Sequence, residues 1–391
     1  QAQRQYVCHA TSTDLTNWTK YPDETFGPDE SIYLLTDWRD PHVIWNEEEK
    51  CWWMILCAQN QGNTKRRGCV GLCKSADLHH WTCCEPLYAP QSSMSAYECP
   101  DLFYMNGWWY LVFSQFTDRF QTLYRMSRSC NGPWIRPKTD SFDGRAFYAA
   151  KTCSDGEHRY IFGWNPTRTQ NTWNFDPDPT HEGYDYKTYD WGGSLVQHEI
   201  YAREDGTLAV RSNPALKRVL TVPNEIKWNP LNGDWEVDQT SAKVDSPIAY
   251  ASIISENDVP HQCCLSLDFT FTPGTERFAV VLQADQEFAR GYYFYLDPKR
   301  QRIEYKSAIR MHEQGGWTFQ YDVELERPVE LIPNQTYSME IFVDESVMEV
   351  YVNDEVAMSV RAYDLHDRKF GLAVSDGTVC FENIQLTTVG E

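Results

Sequence analysis

Ser12-Thr-Asp-Leu-Thr-Asn-Trp18 decides the fold, because the chain repeats it as Ser75-Ala-Asp-Leu-His-His-Trp81. A weaker copy follows at Ser127-Arg-Ser-Cys-Asn-Gly-Pro-Trp134. Each copy comes after a short apolar run of strand character and before a stretch that contains proline. A repeat at this spacing is typical of proteins built from successive β-units. We therefore predict that each copy forms a polar turn that closes a strand, with its tryptophan packed behind the turn.

Several short apolar runs lie between the copies and are predicted to be strands. They are Val43 to Trp45, Trp52 to Ala58, Cys69 to Lys74, Leu102 to Tyr104, Trp108 to Phe116 and Thr122 to Ser127. Three or four strands per unit of about 50 residues is the signature of a β-propeller blade. A further unit runs from Ala146 to Val210. Residues 1–214 are thus predicted to form about three and a third blades of a propeller.

The pattern changes after Pro214. Residues 215–245 are predicted to be a linker, and residues 246–391 alternate as nine or more two-sided strands. The turn signals Pro273-Gly274, Asn353-Asp354 and Asp376-Gly377 separate these strands. Antiparallel strands with such turns are typical of a β-sandwich. Because no long helical periodicity accompanies them, the chain is predicted to be all-β.

The composition disfavours several classes of partner. A formal net charge of −21 argues against binding to nucleic acid and to anionic membrane surfaces, since both need Lys and Arg. No run of 18 apolar residues is present, so we expect no segment that spans a bilayer. The 15 Trp, 23 Tyr and 18 Phe suit a β-rich core, and some of their flat faces suit stacking on sugar rings.

The 13 cysteines include no Cys-x-x-Cys pair, and Cys83-Cys84 and Cys263-Cys264 lack the spacing of zinc ligands. We therefore expect no metal and no cofactor. Cysteines such as Cys51 and Cys57 lie in strand-like runs, as buried free thiols do in a reducing compartment. We predict a cytoplasmic location. The alternative is secretion, in which the two Asn-x-Thr triplets would be glycosylation sites.

Two acidic motifs carry the chemistry. Trp38-Arg39-Asp40-Pro41 and Tyr97-Glu98-Cys99-Pro100-Asp101 each place a carboxylate beside a proline, just before a predicted strand. Cleavage of a glycosidic bond needs one acid that donates a proton and a second that stabilises positive charge on the sugar. Asp40 and Glu98 are therefore the candidate catalytic pair, and a small oligosaccharide is the expected substrate.

The two motifs in this order, the repeated turns and the sandwich together resemble the fructosyl glycoside hydrolases of family 32, which include invertases, inulinases, levanases and fructooligosaccharide hydrolases. The resemblance covers essentially the whole chain. It also rests on the stretches His9 to Trp18, Phe147 to Thr152, Phe162-Gly163-Trp164 and Ile341 to Asn353. It implies a five-bladed β-propeller, of which the N-terminal part is missing from this sequence, followed by a C-terminal β-sandwich.

The resemblance also implies roles for individual residues. Asp40 matches the transition-state stabiliser, whose carboxylate holds fructose hydroxyls, and Glu98 matches the general acid/base. Arg39 matches the pocket arginine beside the stabiliser. The chemistry of the residues agrees, because a transition state of oxocarbenium character is stabilised by fixed negative charge and by hydrogen bonds to hydroxyls.

Three further residues are predicted to contact or orient the substrate. Trp38 and Trp164 have faces on which a sugar ring could stack, although both also suit a propeller core. Asp101 is the last residue of the second motif and could either orient a neighbouring side chain or cap a strand. No further cluster of His, Cys and Asp with ligand spacing is visible.

The implied activity is release of terminal β-fructosyl units, with retention, from sucrose or short fructooligosaccharides. Retention requires a nucleophile, and the resemblance places this aspartate upstream of His9. We assign no residue of this sequence to that role and expect an N-terminal segment or a second chain to supply it. The alternatives are a carbohydrate-binding pseudoenzyme and a related propeller hydrolase that acts on arabinose-containing furanosides.

Overall fold

A computed structural model of the chain describes residues 4–117, 120–168, 185, 189–307 and 324–390. These residues form 26 β-strands and one short helix, which confirms the all-β prediction. No helix within the described ranges is long and apolar enough to cross a membrane. The chain divides into two compact units. The first comprises Gln1–Ser141, Phe147–Gly163 and Ala202–Leu208, and the second comprises Phe142–Ala146, Trp164–Tyr201 and Ala209–Glu391.

The first unit consists of small antiparallel sheets that follow one another along the chain. Its strands are β1 (Val7–Thr11), β2 (Thr19–Phe26), β3 (Arg39–Asn46), β4 (Cys51–Gln59), β5 (Gly68–Ser75), β6 (Thr82–Tyr88), β7 (Tyr97–Met105), β8 (Trp108–Gln115), β9 (Gln121–Ser127), β10 (Tyr148–Ser154) and the beginning of β11 (Arg159–Pro166). β1 pairs with β2, the next four strands form the sheet β3-β4-β5-β6, and β7-β8-β9 form another. The predicted strands between Val43 and Ser127 lie within these elements, except that the run from Trp108 extends to Phe116, one residue beyond the end of β8.

The position of each strand in its sheet follows from its sequence. β4 lies between β3 and β5, and its apolar run Met54–Cys57 is buried on both faces. β6 is an edge strand with mostly part-exposed residues, and it contains Pro86, which cannot donate a ladder hydrogen bond. Trp53, Leu111 and Phe113 belong to one hydrophobic cluster that joins the two larger sheets.

The two strong sequence copies fold into the same turn. In the first copy, the hydroxyl of Ser12 accepts hydrogen bonds from the backbone N–H groups two and three residues later, at 3.2 and 2.8 Å. Ser75 does the same in the second copy, at 3.2 and 2.9 Å. Asp14 and Asp77 then each accept two further backbone N–H groups at 2.8–2.9 Å. These bonds lower the pKa of both carboxyl groups, so both side chains are ionised in the native turn.

The leucine and the tryptophan of each copy complete the turn. Leu15 and Leu78 adopt φ angles of 58° and 69°, and their carbonyl groups accept hydrogen bonds from Trp18 Nε1 and Trp81 Nε1 at 3.2 and 3.0 Å. The leucine conformation is unfavourable by itself, so the indole contact and the capped carboxylate hold it. The repeat in the sequence is thus a repeat in hydrogen bonding.

The second unit contains the end of β11 and the remaining elements of the chain, except for Ala202 at the end of β12 and Leu208 at the start of β13, which belong to the first unit. They are β12 (Gly193–Ala202), β13 (Leu208–Arg211), α1 (Pro214–Val219), β14 (Leu220–Asn224), β15 (Trp228–Asn232), β16 (Trp235–Val237), β17 (Ala242–Ser255), β18 (Gln262–Phe271), β19 (Arg277–Ala284), β20 (Tyr292–Asp297), β21 (Arg302–Ser307), β22 (Leu325–Pro328), β23 (Tyr337–Asp344), β24 (Val347–Val352), β25 (Val356–Arg361) and β26 (Lys369–Val389). Asn213 caps α1 by accepting from Ala215 N at 2.9 Å.

The long strand β26 connects the layers of the second unit. On one edge it pairs first with β19 and then with β18, and on the other with β17 and β14. The continuous order is β22-β21-β20-β19-β26-β18-β23-β24-β25. Alternate residues of these strands, such as Phe269, Phe294 and Ile341, meet in one large buried cluster. This arrangement matches the predicted sandwich.

The compact units are divided differently from the predicted domains. Residues 142–146 and 164–201, predicted as propeller, belong to the second unit. The predicted linker 215–245 contains most of α1 and all of β14, β15 and β16. β14 pairs with β26, and β15 and β16 pair with β17, so this stretch is part of the large sheet.

Candidate active site

Asp40 occupies a β-bulge at the start of β3. The pairing of β3 with β4 shifts register between Arg39 and His42, so β3 carries one extra residue there. Asp40 adopts a φ of 57°, a left-handed conformation that is uncommon outside glycine. The next residue, Pro41, has no N–H and leaves no ladder donor unpaired. The bulge thereby turns the Asp40 side chain out of the regular alternation of the strand.

Glu98 precedes a second bulge at the start of β7. The pairing of β7 with β8 shifts register between Glu98 and Asp101. Cys99 has a φ of 48° and is followed by Pro100, so both acidic motifs contain a left-handed residue directly before a proline. Such residues cost on the order of 1–3 kcal/mol each, and the surrounding structure must hold them in place.

The two bulges contact each other across the boundary between two sheets. The backbone N–H of Cys99 donates to Asp40 Oδ2 at 3.0 Å, and Cys99 Sγ lies 3.7 Å from the same oxygen. Burial and the charge of Asp40 raise the pKa of the Cys99 thiol to about 12, so the thiol stays neutral beside the carboxylate. The strand that carries Glu98 therefore also positions Asp40.

Arg39 links the carboxylates of the site. Its guanidinium forms ion pairs with Glu98 Oε1 and Asp37 Oδ1, and its Nε lies 3.8 Å from Asp40 Oδ2. Burial lowers the pKa of Arg39, but the hydrogen bonds to Asp37 and Glu98 and the charge of Asp37 outweigh this effect and raise the pKa above its ordinary value. Arg39 thus carries a permanent positive charge among three acids.

Tyr148, the first residue of β10, holds the other side of Glu98. Its hydroxyl donates to Glu98 Oε2, while Arg39 donates to Oε1. Burial and the charge of Glu98 raise the pKa of Tyr148, so its phenol remains a donor at physiological pH. Two donors from different strands therefore fix the plane of the Glu98 carboxylate.

The site remains open to solvent on one side. The side chains of Asp40 and Arg39 are each 28% exposed, and that of Glu98 is 13% exposed. A buried ion pair would have no such opening, whereas a group that exchanges protons with a substrate needs one. Desolvation on the inner side and exposure on the outer side suit a carboxylate that reacts.

Asp101 lies beneath the site and is only 1% exposed. Its Oδ2 accepts from the backbone N–H of Thr152 at 2.6 Å, and its Oδ1 lies 3.3 Å from His42 Nε2. It therefore joins β7 to β10 and to β3. Lys151 supports the same layer by donating to the carbonyl of Pro100 at 2.5 Å. Burial lowers the pKa of Lys151 against the opposing charge of Asp101.

Two family models match the chain. The model described as the glycosyl hydrolases family 32 N-terminal domain matches residues 1–188, and the model described as the family 32 C-terminal domain matches residues 234–388. The chain belongs to glycoside hydrolase family 32. Together the matches include both bulges and most of the large sheet.

Curated relatives of this family 32 protein are similar over most of its length. Sucrose-6-phosphate hydrolase of Escherichia coli is 24% identical, over 100% of this chain and 74% of that protein. Raffinose invertase of Escherichia coli is 26% identical, over 96% of this chain and 71% of that protein. Levanbiose-producing levanase of Bacillus subtilis (strain 168) is 23% identical, over 89% of this chain and 64% of that protein.

Solved structures have the same fold. The exo-inulinase from Aspergillus awamori superposes with a TM-score of 0.67 at 17% identity, over 98% of this chain and 74% of that one. The sucrose-6-phosphate hydrolase from Lactobacillus gasseri gives a TM-score of 0.67 at 17% identity, over 98% of this chain and 72% of that one. At this identity the likeness concerns the fold alone. It agrees with the predicted propeller type followed by a sandwich.

The structure brings together three of the six predicted site residues of this family 32 hydrolase. Asp40, Glu98 and Arg39 are in contact, and Asp101 supports them from below. Trp38 is fully buried and packs against Tyr33 and Phe26, with ring centroids 5.1 and 6.4 Å away. Trp38 therefore lies in the core of the first unit, and its predicted contact with substrate stays a prediction.

Trp164 belongs to the second unit. It forms an edge-to-face contact with Trp191, with ring centroids 5.4 Å apart. Trp164 is the sixth residue of β11. The side chain of the next residue, Asn165, donates a hydrogen bond to the carbonyl of Val360 at 3.0 Å. Its role as a sugar-stacking residue stays a prediction.

Sequence reasoning missed three contributors to the site: Asp37, Gln59 and Tyr148. Gln59 donates to Asp37 Oδ2 at 2.5 Å, while Asp37 Oδ1 accepts from Arg39, so Asp37 holds the arginine in place. Asp37 stands directly before the first motif, where a second acid beside an arginine was visible. Tyr148 falls in the stretch Phe147 to Thr152 that carried the family resemblance, but nothing in its spacing ties it to Glu98.

Proposed function

We propose that this protein is a retaining glycoside hydrolase that releases terminal β-fructosyl units from sucrose or short fructooligosaccharides. The observation that carries the proposal is the contact between the two bulges, which places Asp40 and Glu98 in one partly exposed site around Arg39. The names of the relatives support the substrate class, since they include an invertase, a levanase and sucrose-6-phosphate hydrolase.

Glu98 is proposed as the general acid/base. It protonates the oxygen of the leaving group and then, in the second step, removes a proton from the attacking water. Its two oxygens are held by Arg39 and Tyr148, which orient the carboxyl group for transfer in one direction. A proton-transfer group that is held in this way loses less entropy in the transition state.

Asp40 is proposed as the stabiliser of the fructosyl transition state. Its carboxylate is fixed by the Cys99 N–H and by Arg39, so no reorganisation is needed when positive charge develops on the sugar. Asp101 and Asp37 are proposed as positioning residues, because the contacts of each lie with the elements that hold Glu98 and Arg39.

The nucleophile is proposed to come from a segment or a second chain that completes the site. Asp37 is proposed to position Arg39 instead of serving as this nucleophile, because it lies outside both acidic motifs and its two oxygens bind Arg39 and Gln59. The intact mass of the native protein tests the proposal. A native protein of 45.6 kDa that turns over sucrose without a partner would contradict it.

Glu98→Gln tests the function directly. We expect the native protein to release fructose from short fructooligosaccharides, with the β-anomer formed first in an NMR time course. The variant should be slower by about 10²- to 10⁴-fold. Glu85→Gln, an exposed change on β6, is the matched control and should leave the rate unchanged.

Equal rates in Glu98→Gln and the native protein would contradict the role of Glu98. Initial formation of the α-anomer would instead favour an inverting furanosidase. Saturable fructan binding without turnover by the native protein would favour a carbohydrate-binding protein.

A cytoplasmic location is likewise proposed; buried free thiols such as Cys57, Cys69 and Cys73 support it.

A further inference from the structure

We propose that the first unit contains a binding site for one divalent transition-metal ion, formed by His9, Glu24 and His79. His9 Nδ1 lies 2.5 Å from Glu24 Oε2, and His79 Nδ1 lies 2.9 Å from Glu24 Oε1. One potential ligand atom from each of the three residues lies within 4.8 Å of the other two. The acid/base reaction proposed above uses none of these groups.

The three ligands come from three separate segments of the chain. His9 lies in β1, Glu24 in β2, and His79 in the turn between β5 and β6. Two imidazoles that converge on one carboxylate form the ligand set found in many zinc sites, where a water completes the coordination. Ligand atoms around a tetrahedral zinc lie roughly 3.3 Å apart. The two contacts between a histidine and Glu24 therefore need to lengthen by less than about 1 Å to admit the ion.

The surroundings orient the two imidazoles. Tyr21 packs against His9 with ring centroids 5.1 Å apart and presents an edge-to-face contact to His79 at 6.2 Å. The two imidazole centroids are themselves 5.3 Å apart. The side chains of His9 and Glu24 are 28% and 22% exposed, so an ion can enter from solvent without leaving the ligands fully hydrated.

A cavity adjoins the ligands. It has a volume of about 260 Å³ and is lined by all three of them together with the apolar side chains of Val7, Phe26, Met54 and Trp81. A cavity of this size has room for the water or small anion that completes a three-ligand site. Its apolar lining lowers the local dielectric and strengthens the attraction between the ion and Glu24.

A bound ion would connect the hairpin β1-β2 to the turn after β5. These two strands form a sheet of their own, and an isolated two-stranded hairpin is marginally stable in water. The metal would therefore stabilise the first unit as a cross-link between sequence-distant segments. This role is independent of the proposed hydrolysis.

The repeated turns supply matched variants. His79 stands at the position of Thr16 in the first turn, and the side chain there makes no bond to the turn carboxylate. His80 stands at the position of Asn17, and both side chains bond the second carboxylate oxygen of the turn aspartate at 2.8 Å. His79→Thr and His80→Asn each borrow the residue of the first turn, so both variants preserve the turn, and only the first removes a ligand.

Co²⁺ is the probe, because its visible bands report coordination and a thiolate charge-transfer band would reveal binding to cysteine instead. We expect the full chain to bind one equivalent of Co²⁺ without the thiolate band and to melt at a higher temperature when it is bound. His80→Asn should behave as the native protein does. Loss of a residue that only hydrogen-bonds a metal ligand weakens binding by roughly 10- to 100-fold. His79→Thr removes a ligand itself, so it should weaken Co²⁺ binding by more than this, and the melting temperature of the variant should no longer respond to Co²⁺.

Three results would overturn the site: no saturable binding, a thiolate band at the first equivalent, or native affinity in His79→Thr. Glu24→Gln provides a second test, since it keeps the size of the side chain and removes its charge. It should also weaken binding by more than about 100-fold. Native affinity in Glu24→Gln would equally contradict the proposal, whatever the outcome of the hydrolysis assay.

Discussion

Two carboxylates in the two units have similar partners and opposite environments. In the first unit, Glu98 accepts from Arg39 and from the phenol of Tyr148, and its side chain is 13% exposed. In the second unit, Asp143 accepts from His198 Nε2 at 2.9 Å and from Ser359 Oγ at 2.6 Å, and its side chain is fully buried.

The second network is closed as well as buried. Asp143 Oδ1 accepts from the backbone N–H of Ser359 at 2.7 Å, and His198 Nδ1 lies 2.7 Å from the hydroxyl of Tyr351. Tyr351 in turn donates to Glu349 at 2.8 Å. With partners on every side and no solvent, Asp143 can stabilise the sandwich but cannot reach a substrate. A carboxylate held by two side-chain donors therefore serves stability or chemistry according to whether one of its faces is open to solvent.

The largest effect is expected from Asp143→Ala. Removing the carboxylate leaves the N–H of Ser359 and the imidazole of His198 without their acceptor in a sealed region, so the free energy of unfolding should fall by about 3–5 kcal/mol. Urea denaturation measures this loss. The kcat per folded molecule should stay at the native value, and a selective loss of kcat at native stability would break the contrast between the two networks.

Asp40→Asn should have the opposite effect to Asp143→Ala, with a loss of activity at native stability. The amide keeps the size of the side chain but removes the fixed negative charge, so kcat/KM should fall by about 10³-fold, which corresponds to roughly 4 kcal/mol of transition-state stabilisation. The same urea titration should show native stability within about 1 kcal/mol. An active Asp40→Asn variant would remove this residue from the catalytic machinery.

Tyr148→Phe should reduce kcat/KM by about 10-fold, since it deletes one of the two hydrogen bonds that orient Glu98. Tyr110→Phe is the matched control. Tyr110 is equally buried and donates to the carbonyl of Gly206 at 2.6 Å, away from the carboxylates. The control should lose about 1 kcal/mol of stability and no activity. Equal losses of activity in both variants would indicate a packing effect.

The pH dependence of stability should separate two acids of the second unit. Hydrogen bonds and the charge of His198 outweigh burial and lower the pKa of Asp143, so its contribution is present above the unfolded value of about 3.9 and is lost as pH falls through its folded pKa. Burial raises the pKa of Glu349. Its ionised form is therefore disfavoured in the fold, and stability should decline as pH rises from about 4.3 towards neutrality.

Glu349→Gln isolates the smaller of these effects. The variant should lose the decline above pH 4.3 and keep the steep loss at lower pH that belongs to Asp143. Melting temperatures from pH 3 to pH 7 would display both regions. An unchanged slope between pH 4.3 and 7 would exclude Glu349 as its source.

Local sequence predicted the elements that depend on local contacts. The turns at Ser12 and Ser75 were visible because every bond within them joins residues at most three positions apart. The strands around Trp52 and Trp108 were visible as apolar runs. The acidic motifs were visible because their residue types suit one kind of chemistry.

The bulges could not be predicted from the same motifs. A left-handed Asp40 or Cys99 before a proline is locally unfavourable, and the contact between Cys99 N and Asp40 that stabilises it joins residues 59 positions apart. Tyr148 was missed for the same reason, since it lies 50 residues from Glu98. The burial of Trp38 depends on packing against Phe26 and Tyr33, which lie outside the motif that contains Trp38.

The boundary between the units was also beyond local sequence. Asp143 belongs to the second unit through bonds to His198 and Ser359, which follow it by 55 and 216 residues. Ligands such as His9, Glu24 and His79 have no regular spacing, because they meet only when β1, β2 and the turn after β5 are in place. Sequence patterns report periodicity, whereas these sites depend on topology.

The self-contained turns have a consequence for how this molecule can vary. Serine, aspartate, leucine and tryptophan take part in most of the bonds that define the turn, and the side chain at the position of Thr16 or His79 contributes none to the turn carboxylate. Exchanging the side chain at that position therefore leaves the backbone bonds to the turn carboxylate in place. Each copy of the motif thus keeps the same turn geometry while one side chain can vary, and the two copies in this chain already differ there, with Thr16 in the first and His79 in the second.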